Sequence, residues 1–106
     1  MATEFSVESF ESEVLKSDTP VLVDFWSLGC PPCKRLAPVI EELAAENAGT
    51  AKVGKVNVGE HMDLAMEYGI SAVPTILLFK GGEVVERFQG FKDKGELQGV
   101  IDAHKA

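Results

Sequence analysis

The chain has 106 residues, 45% of them hydrophobic, which suits one compact domain around a single core and leaves little material for a second. Seventeen acidic residues against ten basic ones give a net charge of -7, which favours solubility and opposes attraction to phosphate backbones and anionic membranes. Nucleic acid and membrane surfaces are therefore not expected partners.

Met1 to Ser6 carry neither a basic start nor an apolar stretch, so they do not read as an export signal. No window approaches the roughly 18 apolar residues of a membrane span. The longest such run, Ile76 to Phe79, is closed by Lys80. The expected location is the cytoplasm. Two cysteines are too few for a disulfide scaffold, and in a reducing compartment a close pair points to catalysis or metal binding.

Glycines and prolines punctuate short segments with no repeat or linker between them. Thr3 to Phe5 leave room for a short first strand. Ser6 can cap a helix that places Val7, Phe10, Val14 and Leu15 on one face and ends before Ser17-Asp18-Thr19-Pro20. Val21 to Trp26 is apolar on both parities except at Asp24, the pattern of a central strand covered on both faces. After the cysteines, Leu36, Val39, Ile40 and Leu43 mark a helix to about Asn47, with Pro38 inside it as an expected kink.

Lys52 to Val58 reads as a second internal strand, Asp63 to Tyr68 as a short helix stopped by Gly69, and Thr75 to Phe79 as a third strand. Gly81-Gly82 predicts a hairpin turn into Glu83 to Phe88. Asp93, with Glu96 three residues on, predicts a capping box for a last helix that buries Leu97, Val100 and Ile101. This order predicts an α/β fold, a mixed central sheet of four to five strands flanked by about four helices.

Cys30-Pro31-Pro32-Cys33 lies where a buried strand passes into a helix. With Cys30 at the helix N-cap, its sulfur faces unpaired N–H groups and the positive end of the helix dipole, and both favour a thiolate. Lys34 and Arg35 add positive charge. Cys33, one turn on, can close a disulfide with Cys30 or expel a mixed-disulfide partner after Cys30 has attacked it. Two plainer readings compete. A structural disulfide over so short a loop would constrain the unfolded chain by only about 2 kcal/mol. A zinc site would need two more ligands, and only His61 and His104 are available, at spacings unlike paired knuckles.

A longer series of residues bears on the choice: Val21-Leu22-Val23-Asp24-Phe25-Trp26, Cys30-Pro31-Pro32-Cys33-Lys34, Pro38, Lys55-Val56-Asn57, Tyr68-Gly69-Ile70, Val73-Pro74-Thr75, Phe79-Lys80, Gly82 and Gly90. In this order and at these spacings the chain resembles the thioredoxin family over nearly its whole length. The resemblance implies the thioredoxin fold and reduction of disulfides in client proteins. It also implies re-reduction by thioredoxin reductase with electrons from NADPH, and no bound cofactor beyond a redox-active Cys30–Cys33 disulfide.

An acid inside an apolar strand costs several kcal/mol if ionised and unpaired, so Asp24 is either protonated or partnered, with Lys55 on a neighbouring strand as the candidate. The resemblance makes Asp24 the base that removes the proton of Cys33. The plainer alternative is a structural carboxylate tied to Lys55 or to backbone. Val73-Pro74 resembles the family's cis-proline loop, which leaves the preceding backbone groups free for a client strand. On that reading Val73 pairs main chain to main chain with an extended client, and Ile70, Pro74 and Gly90 supply an apolar floor. Its alternative is an ordinary proline at the start of a strand. Pro31 and Pro32 face the client, and Trp26 is a packing residue beside the site more than a contact.

Two residues depart from the family pattern, which places Trp before the first cysteine and Gly-Pro between the two. Here Gly29 precedes Cys30 and Pro31 replaces the glycine. Pro31 removes an N–H at the first helical position, yet the Cys33 N–H survives to reach Cys30, so an altered redox potential is expected. Phe91 is a candidate to supply the apolar client surface that Gly29 does not; the alternative is a core aromatic at the start of the last helix. Two other functions stay open, a thiol oxidase or isomerase on the same fold and a redox-independent interaction subunit. A monomer is expected.

Overall fold

The computed structural model describes residues 2–105. Strands β1 (Thr3–Glu4), β2 (Val21–Trp26), β3 (Lys52–Asn57), β4 (Thr75–Lys80) and β5 (Glu83–Gln89) form one sheet in the order β1-β3-β2-β4-β5. β1, β3 and β2 run parallel, and β4 and β5 add antiparallel, which gives the expected mixed sheet. Helices α1 (Val7–Phe10), α2 (Pro31–Glu46), α3 (Met62–Glu67) and α4 (Lys94–Ala103) cover it.

β2 lies at the centre because both of its faces are apolar, and its alternation splits the core in two. Val21, Val23 and Phe25 join Phe5, Phe10, Leu64 and Phe79 in one cluster, while Leu22 joins Leu36, Ile40, Leu43, Leu97 and Ile101 in the other, under α2 and α4. Asp24 shares the parity of Leu22 and so faces α2. Gly54 of β3 lets the sheet edge close: a Cβ there would stand 2.5 Å from the Thr3 carbonyl and 2.5 Å from the Phe5 ring. At Gly81 and Gly82, φ of 61° and 83° supply the two left-handed residues that a tight hairpin turn requires.

Two expectations are corrected. The first helix is not uniform: after Phe10 it widens into a π-helical turn over Glu11–Leu15, with the Lys16 N–H donating to the Glu11 carbonyl at 2.9 Å. Phe10 and Val14 are buried by this arrangement, but Val7, in the first turn, faces solvent. The capping box belongs to this helix, where Ser6 and Ser9 exchange side-chain-to-backbone hydrogen bonds. At α4 only half of a box forms, with Asp93 accepting from the Glu96 N–H at 2.8 Å; among the described residues no reciprocal bond from the Glu96 side chain is made. Just past α4, His104 Nε2 meets Glu86 Oε2 on β5 at 2.9 Å.

Candidate active site

β2 delivers the chain to the mouth of the site, and Gly29 turns it into α2 with a φ of 74°. Cys30 is the N-cap of α2, and Pro31 and Pro32 take the first helical positions, where an N–H has no partner within the helix. Two consecutive prolines are therefore tolerated here. The N–H of Cys33 stays free and donates to Cys30 Sγ at 3.2 Å. Cys30 and Cys33 are both buried and joined as a disulfide, with their Cα atoms 5.2 Å apart. No acidic residue stands in the first turn of α2, and Lys34 and Arg35 lie exposed beside it.

Across from Cys30 runs the loop before β4. The Val73–Pro74 peptide bond is cis, and the Val73 carbonyl oxygen lies 3.7 Å from Cys30 Sγ. The Gly90 N–H donates to the Pro74 carbonyl at 2.8 Å, and Thr75 Oγ1 donates to the Ala72 carbonyl at 2.6 Å. Arg87 donates to the carbonyls of Tyr68 and Gly69, each at 2.8 Å, and so pins the segment that leads to Ile70. Ile70 and Val73 line a shallow apolar groove with Val58, Met62 and Met66.

Beneath Cys33 is a cavity of about 100 Å³ lined by Asp24, Trp26, Leu28, Cys33, Lys34 and Lys55. Asp24 is 2% exposed and its Oδ1 has no hydrogen-bond partner. Burial pushes its carboxyl up to about 7, against the opposing charge of Lys55 and with the help of Glu4. Of the two readings of Asp24, the ion pair with Lys55 does not form. Lys55 Nζ lies instead 3.6 Å from Glu4 and 3.5 Å from Glu41, and 5.7 Å from the centre of the Trp26 ring. Lys55 thus acts on Asp24 only as a nearby charge. Among the described residues, no group of three or more His, Cys, Asp or Glu side chains is arranged to hold a metal ion.

A thioredoxin family model matches residues 1–103. Thioredoxin 1 of Nostoc sp. is 43% identical over 97% of this chain and 96% of its own length. Thioredoxin of Rickettsia felis is 47% identical over 92% of each chain. Mitochondrial thioredoxin of Rattus norvegicus is 43% identical over 94% of this chain and 62% of its own.

The chain belongs to the thioredoxin family. It has the fold of that family and is a thiol–disulfide oxidoreductase, with a proximal cysteine pair suited to protein-disulfide reduction. Against the family pattern, the left-handed angle at Gly29 suits a glycine, since the space around it is open and only the backbone angle disfavours a Cβ. Phe91 is 42% exposed and so does not serve as a core aromatic. Three exposed apolar residues beside the site are not evident from the sequence: Leu28, Met62 and Met66. Met62 and Met66 sit four apart on α3, a spacing that marks one helical face; Leu28 is a bulky apolar residue in a turn. Glu41 is equally hidden, because its contact with Lys55 joins α2 to β3.

Proposed function

We propose that this protein reduces disulfides in extended client segments and is itself reduced by thioredoxin reductase at the expense of NADPH. The observation that carries this reading is Cys30 at the N-cap of α2 with the Cys33 N–H aimed at its sulfur at 3.2 Å. In the dithiol form that donor and the helix dipole stabilise a Cys30 thiolate. The thiolate attacks one sulfur of the client disulfide, and the other leaves as a thiolate. Cys33 then gives its proton to Asp24 and attacks Cys30 Sγ, which expels the second client thiolate and leaves the Cys30–Cys33 disulfide. Two electrons pass to the client, and the reductase returns them.

Asp24 suits the proton transfer because a base titrating near 7 is ionised often enough to accept and strong enough to take a proton. The cavity it shares with Cys33 has room for water to relay the proton. Lys55 tunes its charge. A client strand lies along Val73, with its side chains over Ile70, Pro74, Gly90 and the exposed Phe91, and with Pro31 and Pro32 at the rim. Trp26 walls the cavity and does not touch the client. The protein acts as a monomer in the cytoplasm, a reducing compartment in which such a carrier is useful.

The test is equilibration in graded dithiol/disulfide buffers, with the oxidised fraction read by thiol alkylation and Trp26 fluorescence. A potential near about -270 mV is expected for a reductase; a value at or above about -180 mV would move the assignment to an oxidase or isomerase.

A further inference from the structure

Asp24 and Lys55 stand side by side in register on the parallel strands β2 and β3, yet the ammonium is drawn to two carboxylates that belong to other elements. Glu4 comes from β1, where it pairs in register with Lys55 itself, and Glu41 comes from the middle of α2. Glu41 is in turn fixed by the Ala2 N–H, which donates to its Oε1 at 2.8 Å. That N–H, and then Lys55, hold the Glu41 carboxyl below its ordinary value, so it remains a full negative charge wherever Asp24 titrates. The charges that act on Asp24 are Lys55 on β3 and Glu4 on β1; Cys33 and Lys34 of α2 line its cavity, and Glu41 of α2 reaches it through Lys55. β4 offers only Ile76 opposite Asp24.

We propose that Glu4 and Glu41 are positioning residues that hold Lys55 away from Asp24 and thereby keep the Asp24 carboxyl a usable proton acceptor. An ammonium free to approach within about 4 Å would lower a buried carboxyl strongly and leave it too weak a base for a thiol. An absent ammonium would leave it protonated and unable to accept. Two competing carboxylates set the lysine between these limits. Both are at the surface, where ion pairs add little stability, so their effect should appear in the titration of Asp24 and not in the fold. The meaning of the device for turnover rests on Asp24 acting as the base, but the device itself does not.

The experiment follows the Asp24 carboxyl directly by carbon-13 NMR in the oxidised protein, so that its titration is read independently of turnover. Glu4→Gln with Glu41→Gln should lower the Asp24 midpoint by about one pH unit, and Glu4→Asp with Glu41→Asp should restore most of it. In a Lys55→Met background, where the midpoint is higher, the same glutamine pair should change it far less. An unmoved or raised midpoint in the glutamine variant would overturn the proposal. So would an equal fall with and without Lys55, since the carboxylates would then act by direct repulsion. Resolution of the mixed disulfide at pH 8, where Asp24 is ionised in both proteins, should be roughly threefold slower in the glutamine variant because its base is weaker. If the midpoint falls and that rate does not change, the positioning stands and the assignment of Asp24 as base fails.

Discussion

The two faces of the sheet are built from the same central strand and have opposite characters. On the side of α1 and α3, Phe5, Phe10, Phe25, Tyr68 and Phe79 pack edge to face or tilted, with ring centroids 5.2 to 6.4 Å apart. Among the described residues Asp24 is the one buried charged side chain, and it lies on the other face. On the side of α2 and α4 the core is aliphatic, and toward the α2 N-terminus it gives way to Asp24, Lys55 and a cavity. Packed aromatic rings stabilise the fold, whereas a buried acid beneath a helix N-terminus costs stability and points to chemistry. One strand serves both because its side chains alternate, so a single parity change places Asp24 beneath Cys33 and not among the rings.

If the faces are independent, damage to the aromatic one should cost stability and leave the redox chemistry alone. Phe79 is 1% exposed and lies in edge contact with both Phe10 and Tyr68. Phe79→Ala should lower stability by about 3–5 kcal/mol in urea denaturation of the oxidised protein. Its reduction potential and the Asp24 titration should match those of the unaltered protein. A displaced potential would mean that strain crosses the sheet.

Damage to the other face should act in the reverse sense. The Asp24 carboxyl titrates at about 7 when folded against an ordinary value of 3.8. Between these values the unfolded chain releases its proton first, so stability falls as pH rises and levels off above about 7, by at most about 4 kcal/mol. Asp24→Asn should therefore match the unaltered protein below about pH 4 and exceed it at pH 8. The same variant should resolve the mixed disulfide at least roughly tenfold more slowly in a single turnover. A variant more stable and equally fast would make Asp24 a burden without a role.

What the sequence made readable follows this division. The alternation of β2, the paired glycines of the hairpin and the cysteines at a helix start are local patterns, and each predicted its element. The cost of burying Asp24 was equally plain. The lysine's choice of Glu4 and Glu41 was not, because it depends on three elements meeting and on which carboxylate comes nearest. The π-helical turn was hidden for a related reason: Phe10, Val14 and Leu15 fit an ordinary helix by spacing, and only the packing of Phe10 and Val14 against the sheet selects the wider turn. The exposed Met62, Met66 and Leu28 stand out only once the buried apolar residues are known.

The smallest expected effect is on the client surface, outside both cores. Phe91 follows Gly90, whose N–H is tied to the Pro74 carbonyl, so its ring is held at the edge of the proposed client groove without being packed. Covering about half of a phenylalanine ring is worth about 1 kcal/mol at the usual value per unit of apolar area. Phe91→Ala should therefore raise KM for a protein disulfide by about fivefold, with kcat and stability nearly unchanged. A small dithiol-reactive disulfide, too short to reach the ring, should be reduced at the original rate. A loss of stability with no change in KM would instead make Phe91 a packing residue, and the apolar client surface that Gly29 does not supply would then have to come from Leu28, which is 80% exposed on the other side of the cysteines.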